Sequence, residues 1–301
     1  MLGSDLVLYL KDYFELYGLD LSDSKNPIAQ ALRGFQKCDI TDLDGIMKVI
    51  KDIKPDIVVH TAAWTDVDGC ELDKERAIKI NSTGTHNVVL ACKESGAVMF
   101  YVSTDFIFDG KKSEPYTEDD KTGPINIYGE TKLMGEEFVR KELHRYFILR
   151  TSWLFGKYGR NFVDTILNKA DAGGELRIVF DQFGSPTFTK DLARAIKRFI
   201  ELAIKNSGLG GVYHFCNYGN CSWFKYAEQI LKTANRRKTR IIPITSLELD
   251  RPAERPSMSV LDTEKYFELT GDNPRDWKVA LEDYLFNEKK IKRDYVQGSQ
   301  R

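Results

Sequence analysis

Histidine is scarce in this chain: four in 301 residues, His60, His86, His144 and His214, with no spacing that suits a metal. Cysteine is scarce as well. Cys38, Cys70, Cys92, Cys216 and Cys221 are odd in number and scattered, and no two form a Cys-x-x-Cys pair. That argues against a disulfide framework or a zinc ribbon and favours reduced thiols in a cytoplasmic protein. Charge of one sign is missing: 44 Lys and Arg stand against 45 Asp and Glu, a net charge of -1. No basic field is available for nucleic acid or an acidic membrane surface. Long hydrophobic runs are missing too, since stretches such as residues 57–60 have strand length and cannot span a bilayer. Asp5 and Lys11 interrupt the first apolar stretch, which argues against a signal peptide. Repeats and low-complexity segments are absent.

Hydrophobic residues make up 42% of the chain and charged ones 30%, enough apolar side chains for one large or two interlocked domains with a well-solvated surface. Short apolar runs alternate with helical patterns through the first half. Residues 14–20 read as a strand ending in an acid, and Asp42 caps a helix to about Lys54. Residues 56–60 are a β-branched strand, and a helix or helix pair covers 66–94. A strand follows over 97–103, a helix over 130–142 and a strand over 146–150. This alternation predicts an α/β fold: a Rossmann-like doubly wound parallel sheet with a smaller C-terminal substrate-binding region. Residues 1–150 form the dinucleotide-binding part. Residues 151–288 are mainly the substrate region, with elements near 189–216 returning to the sheet, and 289–301 is a basic tail. Helices are expected over 161–172, 189–206 and from Ser222 to about Ala234, with a strand over 211–215.

Ligands of such sheets bind at the carboxyl ends of the strands. Asp20, the Thr61-Ala62-Ala63 turn, Ser103-Thr104-Asp105 and Thr151-Ser152-Trp153 all fall there. Tyr128 and Lys132 lie four residues apart, so on a helix they share a face. A bare pair of this spacing is common by chance. Here the strand-end hydroxyls of Ser103 and Thr104 lie about one element earlier, and the set is what carbonyl reduction by a nicotinamide requires. A phenol can give a proton to a carbonyl oxygen, a nearby cation can lower that phenol's pKa towards the operating pH, and a hydroxyl can hold the same oxygen.

The runs His60 to Asp68, Ile80 to Thr85, Ser103 to Gly110, Tyr128 to Lys132, Arg150 to Trp153 and Asp181 to Thr187 together resemble the dTDP-4-dehydrorhamnose reductase family of extended short-chain dehydrogenase/reductases. The Ser-Thr-Asp-Phe-Ile-Phe-Asp-Gly run discriminates it from sugar-nucleotide dehydratases and epimerases. The resemblance implies NAD(P)H-dependent reduction of the C4 carbonyl of dTDP-4-dehydrorhamnose, giving dTDP-L-rhamnose. It implies that Thr104 binds the carbonyl oxygen, that Tyr128 protonates it, and that Lys132 holds the nicotinamide ribose and depresses the Tyr128 pKa. Gly3, Asp20, Asp39, Ile40, Ala62, Ala63, Thr65 and Ser103 would bind the cofactor together with Tyr128 and Lys132. Asn81 would support the helix that carries the site. Asp105, Trp153 and Arg255 would meet the substrate with Thr104. Lys157 and Arg160 are further candidates for its diphosphate. Trp153 and Phe155 also read as core aromatics, Ala62 and Ala63 as close-packing residues, and the three basic residues as solvated surface charges.

Asp20 at the end of a strand would hydrogen-bond an adenosine ribose and repel a 2′-phosphate, which favours NADH; the resemblance admits NADPH, NADH or both. A small-molecule sugar nucleotide is the expected partner, with no nucleic acid and no membrane. Family members are described with magnesium at a dimer contact, so a homodimer and magnesium stay open, although no acids here match that contact. Two other readings remain: a non-catalytic regulatory subunit like that of methionine adenosyltransferase, and another sugar-nucleotide epimerase or dehydratase. One departure stands out. The family begins with a strand and a glycine-rich turn, of which only the last glycine, Gly3, has a counterpart. Burying four Val, Ile or Leu side chains is worth about 6–12 kcal/mol, against a whole-domain stability of about 5–15 kcal/mol. The expectation is therefore a start at an internal Met with residues upstream, or else a degenerate member that binds cofactor poorly.

Overall fold

The computed structural model describes residues 1–22, 27–236 and 238–292. The first half runs α1 (Leu2–Leu10), β1 (Tyr17–Asp20), β2 (Gly34–Lys37), α2 (Leu43–Ile53), β3 (Ile57–His60), α3 (Val67–Leu72), α4 (Lys74–Ala77), α5 (Thr85–Ser95), β4 (Val98–Thr104), α6 (Ile127–Glu142) and β5 (Tyr146–Thr151). The second half runs β6 (Leu154–Phe155), α7 (Phe162–Ala172), β7 (Glu175–Val179), β8 (Phe183–Gly184), β9 (Thr187–Phe188), α8 (Thr189–Lys205), β10 (Gly211–His214), β11 (Cys221–Ser222), α9 (Trp223–Thr233), β12 (Arg240–Ile244), α10 (Glu264–Thr270) and α11 (Trp277–Asp283).

Four strands form the main sheet in the order β10-β5-β4-β3, all parallel. Its middle strands are apolar and buried on both faces, as helix-covered parallel strands must be. One face packs on α1 and α8: Leu2, Leu6 and Leu10 form a stripe one helical turn apart against Phe100, Phe147, Ile196 and Phe199. The other face packs on α2, α5 and α6 through Ile46, Val89, Met99 and Val139. The doubly wound α/β architecture expected from the alternation is present. β10 and α8 sit with this sheet, whereas β7 pairs with β12 and builds a separate core around Phe155, Tyr226, Trp277 and Tyr284.

The sheet is not continuous. β1 and β2 pair in parallel with each other and with no other strand among the described residues. A cavity of about 1490 Å³ lies between β1 and β3.

Several local boundaries differ from the sequence expectation. The strand expected over 14–20 begins only at Tyr17, because Tyr13 and Phe14 still donate their N–H groups to the Leu10 carbonyl at the end of α1. The helix expected over 66–94 is broken: Asp73 accepts from Arg76 N–H and starts a second helix, and Ile78–Gly84 is a π-helical turn. The helix expected from Glu130 starts at Ile127, because Asn126 caps it by accepting from Gly129 N–H at 2.8 Å. Of the basic tail, residues 293–301 lie outside the described residues; Lys289 pairs with Asp164 at 2.8 Å. No helix of the described residues is long and apolar enough to cross a membrane.

Candidate active site

Three elements bring the reactive groups together. β4 ends at Thr104, whose hydroxyl accepts from Phe106 N–H at 3.2 Å and so caps the short helical turn Asp105–Ile107. α6 begins beside it and carries Tyr128 in its first turn, with Phe106 edge-on to the ring at a 5.9 Å centroid distance. The two elements touch so closely that a Cβ on Gly129 would collide with the Phe106 carbonyl. The π-helical turn supplies the third support. Asn81 accepts from Trp64 N–H at 2.7 Å and donates to the Trp64 carbonyl at 3.1 Å and to Thr131 Oγ1 at 3.2 Å, tying the Ala62–Trp64 turn to α6. The start of α6 is held again where Ile127 N–H donates to Glu71 Oε2 at 3.0 Å.

The Thr104 hydroxyl hydrogen-bonds the Tyr128 phenol and donates to Asp105 Oδ1 at 3.0 Å. Tyr128, Thr104 and Asp105 therefore form one chain of exchangeable protons. Burial pushes the Asp105 carboxyl up to about 7, against hydrogen bonds that pull it down, and its Oδ2 is buried with no hydrogen-bond partner. Burial also raises the Tyr128 phenol above its ordinary value, and the Thr104 hydrogen bond opposes this.

Lys132 Nζ donates to the Val102 carbonyl at 2.8 Å and lies over the Tyr101 ring at 4.1 Å. Burial drops Lys132 to about 7, with Glu136 opposing.

The other predicted residues divide into two groups. Gly3, Asp20, Asp39, Ile40, Ala62 and Ala63 line the large cavity; Thr65, Ser103, Tyr128 and Lys132 do not. Asp20 Oδ1 accepts from Ser22 N–H at 3.0 Å and from its hydroxyl at 2.9 Å. Asp39 Oδ1 accepts from Thr41 N–H at 2.8 Å. Arg255 is engaged within the chain: its guanidinium pairs with Asp68 at 2.8 Å, and the Asn126 side chain donates to the Glu254 carbonyl at 2.8 Å, so this segment is strapped over α3 and α6. Lys157 pairs with Glu288 at 3.7 Å, and Arg160 is exposed. Phe155 is a core residue. Trp153 is half-buried, holds φ at +46°, stacks on Trp223 with ring centroids 3.5 Å apart and covers Gly184 so closely that a Cβ there would strike the indole. Sequence reasoning missed Trp223, Trp64 and Arg76; Arg76 lies over the Trp64 ring at 4.5 Å on the cavity wall. No spacing rule links Trp153 to Trp223 across 70 positions.

The cavity residues suit a dinucleotide. Gly3 lies in the first turn of α1, whose leading N–H groups have no partner within the helix, and a Cβ there would approach Thr61 Oγ1 to 3.3 Å. The buried Ser103 and Thr151 hydroxyls nearer the Thr104 end lack hydrogen-bond partners. Ala62 and Ala63 leave room along the wall. These groups fit NAD(P)H.

The family model described as RmlD substrate binding domain matches residues 2–290. The spore coat polysaccharide biosynthesis protein SpsK of Bacillus subtilis (strain 168) is 40% identical over 246 residues, covering 82% of this chain and 84% of that protein. A dTDP-4-dehydrorhamnose reductase of Streptomyces griseus is 36% identical over 262 residues, covering 87% of this chain and 86% of that one. The crystal structure of the dTDP-4-dehydrorhamnose reductase from Bacillus anthracis in complex with NADP superposes with a TM-score of 0.81 at 35% identity, covering 91% of this chain and 100% of that one. A UDP-glucose 4-epimerase of Thermus thermophilus shares the fold alone, at TM-score 0.80 and 17% identity. With Thr104, Tyr128 and Lys132 set around one strand end, this chain belongs to the dTDP-4-dehydrorhamnose reductase family of NAD(P)H-dependent oxidoreductases.

Proposed function

We propose that this chain reduces the C4 carbonyl of a dTDP-4-dehydro-6-deoxy sugar, dTDP-4-dehydrorhamnose, to the alcohol of dTDP-L-rhamnose. The observation that carries the reading is the placement of Tyr128 beside Thr104 and Asp105 at the end of β4, where Thr104 donates to Asp105 and lowers the Tyr128 phenol. NAD(P)H supplies the hydride when bound. Thr104 turns its hydroxyl from Asp105 to the sugar carbonyl oxygen and orients it, and Tyr128 delivers a proton to that oxygen as negative charge develops there. After the product leaves, Thr104 passes its proton to the Tyr128 phenolate and takes one from Asp105, which is near its midpoint of protonation at neutral pH. Lys132 and Ser103 line the nicotinamide end and Asp20 the adenosine ribose. Trp153 on Trp223 forms the apolar wall against which the sugar packs.

Purified chain mixed with dTDP-4-dehydrorhamnose and either NADPH or NADH tests this. Stoichiometric loss of the reduced nicotinamide with formation of dTDP-L-rhamnose is expected. Conversion of a sugar nucleotide without consumption of added reductant would instead identify an epimerase or dehydratase. Absence of turnover with a methionine adenosyltransferase recovered in fixed ratio would identify a regulatory subunit.

A further inference from the structure

One helical turn beyond Lys132, α6 carries Glu136, whose side chain is fully buried. Positions i and i+4 share a helix face, so the carboxylate lies on the Lys132 side of α6. Arg150 on β5, also buried, holds it with two bonds, from Nε to Oε1 at 3.0 Å and from Nη2 to Oε2 at 2.8 Å. Arg140 adds a third from the solvent side at 2.8 Å. The Arg150 guanidinium is itself fixed: its Nη1 meets the Glu118 carbonyl and the His214 ring at 3.4 Å each, and it lies over Phe108 at 5.3 Å. A buried ion pair is seldom more stable than an apolar pair of the same volume, so packing alone does not account for this one. Lys132 is the neighbour it acts on. Burial lowers the Lys132 ammonium, and Glu136 is the group that opposes this. The other groups around Lys132 bring no negative charge, since burial keeps both the Tyr101 phenol on β4 and the His60 ring on β3 neutral. At the Tyr128 end of the helix, Glu71 is engaged by Ile127 N–H and Asp105 by Thr104.

We infer that Glu136 is a positioning residue: fixed in place by Arg150, it is the buried counter-charge that keeps Lys132 an ammonium able to donate to the nicotinamide ribose. This rests on Lys132 meeting that ribose, as in the reaction proposed above. The donor count shows why the charge matters. An ammonium has three N–H groups. One goes to the Val102 carbonyl, and the Tyr101 ring face takes another side of the cation, which leaves a donor for a ribose hydroxyl. A neutral amine loses one donor and the charge that strengthens the rest. Arg150 acts through Glu136, because a carboxylate with no cation on it does not stay buried and ionised. Arg150 therefore sets where the negative charge sits, and Glu136 sets the charge state of Lys132.

The Lys132 proton can be read directly in the full chain without cofactor or substrate. With lysine carrying carbon-13 at Cε, the Lys132 signal is assigned by its loss in Lys132→Met and followed against pH by NMR. A midpoint of about 7 is expected in the wild type. Glu136→Gln should lower it by at least one pH unit, leaving roughly fivefold fewer Lys132 cations at about pH 7. Glu136→Gln combined with Arg150→Met leaves no buried charge orphaned, and should lower it as much while the thermal midpoint stays close to that of the wild type. NADPH affinity, from fluorescence titration, should fall in these forms at about pH 7 and recover at about pH 5. A merely structural loss would weaken it equally at every pH. Arg140→Met, on the exposed side of the carboxylate, keeps the buried pair and should raise the Lys132 midpoint; it decides the matter should neither form lacking Glu136 fold. A shifted Lys132 midpoint in a chain without reductase turnover would count against the reaction and not against Glu136. A midpoint that stays at about 7 in a folded form lacking Glu136, a loss of NADPH affinity equal at every pH, or no response to Arg140→Met would overturn the assignment.

Discussion

β4 and β1 are both parallel strands entered from a loop and left towards the same cleft, yet they sit in very different surroundings. β4 is hydrogen-bonded on both sides, by β3 and β5, and six of its seven residues are buried. β1 is hydrogen-bonded on one side, and none of its four residues is buried. Thr104, at the end of the first, is locked by its cap and by Tyr128 and Asp105. Asp20, at the end of the second, accepts from Ser22 alone among the described residues. A strand end is as rigid as the neighbours of its strand, so the Thr104 end of the cleft is prebuilt, while the Asp20 end rests on a two-stranded pair of the kind that is marginal in water.

The largest effect that can break this contrast is chemical. Tyr128→Phe is expected to lower turnover by about 10²–10⁴-fold while leaving NADPH affinity within a few-fold, because a general acid is lost and the cavity lining is untouched. Full turnover in that variant would remove Tyr128 from its role. Asp20→Ala should do the reverse, weakening the cofactor with little change in kcat.

Next in size is stability. Phe100 of β4 is fully buried, and Phe100→Ala should cost about 3–5 kcal/mol in urea unfolding. Leu19→Ala in β1 should cost at most about 2 kcal/mol, because Leu19 is only half-buried and borders an open cavity. Equal costs would mean the two part-sheets are equally consolidated. In the same spirit, amides of β1 should exchange through local opening, well before those of β4, which should follow global unfolding; coincident rates would contradict it.

An effect of similar size concerns pH. The folded-state Asp105 carboxyl is raised to about 7, so between about pH 4 and about pH 7 the folded chain holds a proton that the unfolded chain has released. The stability tied to that proton is present below about pH 4 and lost as the pH rises to 7. Asp105→Asn should therefore gain on the wild type across that range, by up to about 1.4 kcal/mol per pH unit. Thermal midpoints that run parallel for the two proteins would place the Asp105 titration elsewhere.

Short-range rules made much of this legible. Asp42 and Ser222 cap helices where their side chains and the apolar periodicity said they would, since a cap needs only a donor three residues on, and the helix expected over 161–172 is there with Asn161 as its cap. The i and i+4 spacing put Tyr128 and Lys132 on one helix, and the β-branched run at 57–60 marked β3. Positions joined across the chain were not legible. The bond from Lys132 to the Val102 carbonyl, the strap from Arg255 to Asp68 and the indole pair Trp153–Trp223 depend on elements meeting in space, and no local pattern encodes a contact between residues that far apart.

By itself the sequence determined most helices and strands of the first half, the parallel character of the main sheet and the reactive residue types, because helix and strand periods and caps are set within a few residues of chain. Only the tertiary structure decided that Lys132 Nζ meets the Val102 carbonyl and the Tyr101 ring, that Arg255 pairs with Asp68 and that Trp153 stacks on Trp223. None of these contacts exists until distant segments have packed.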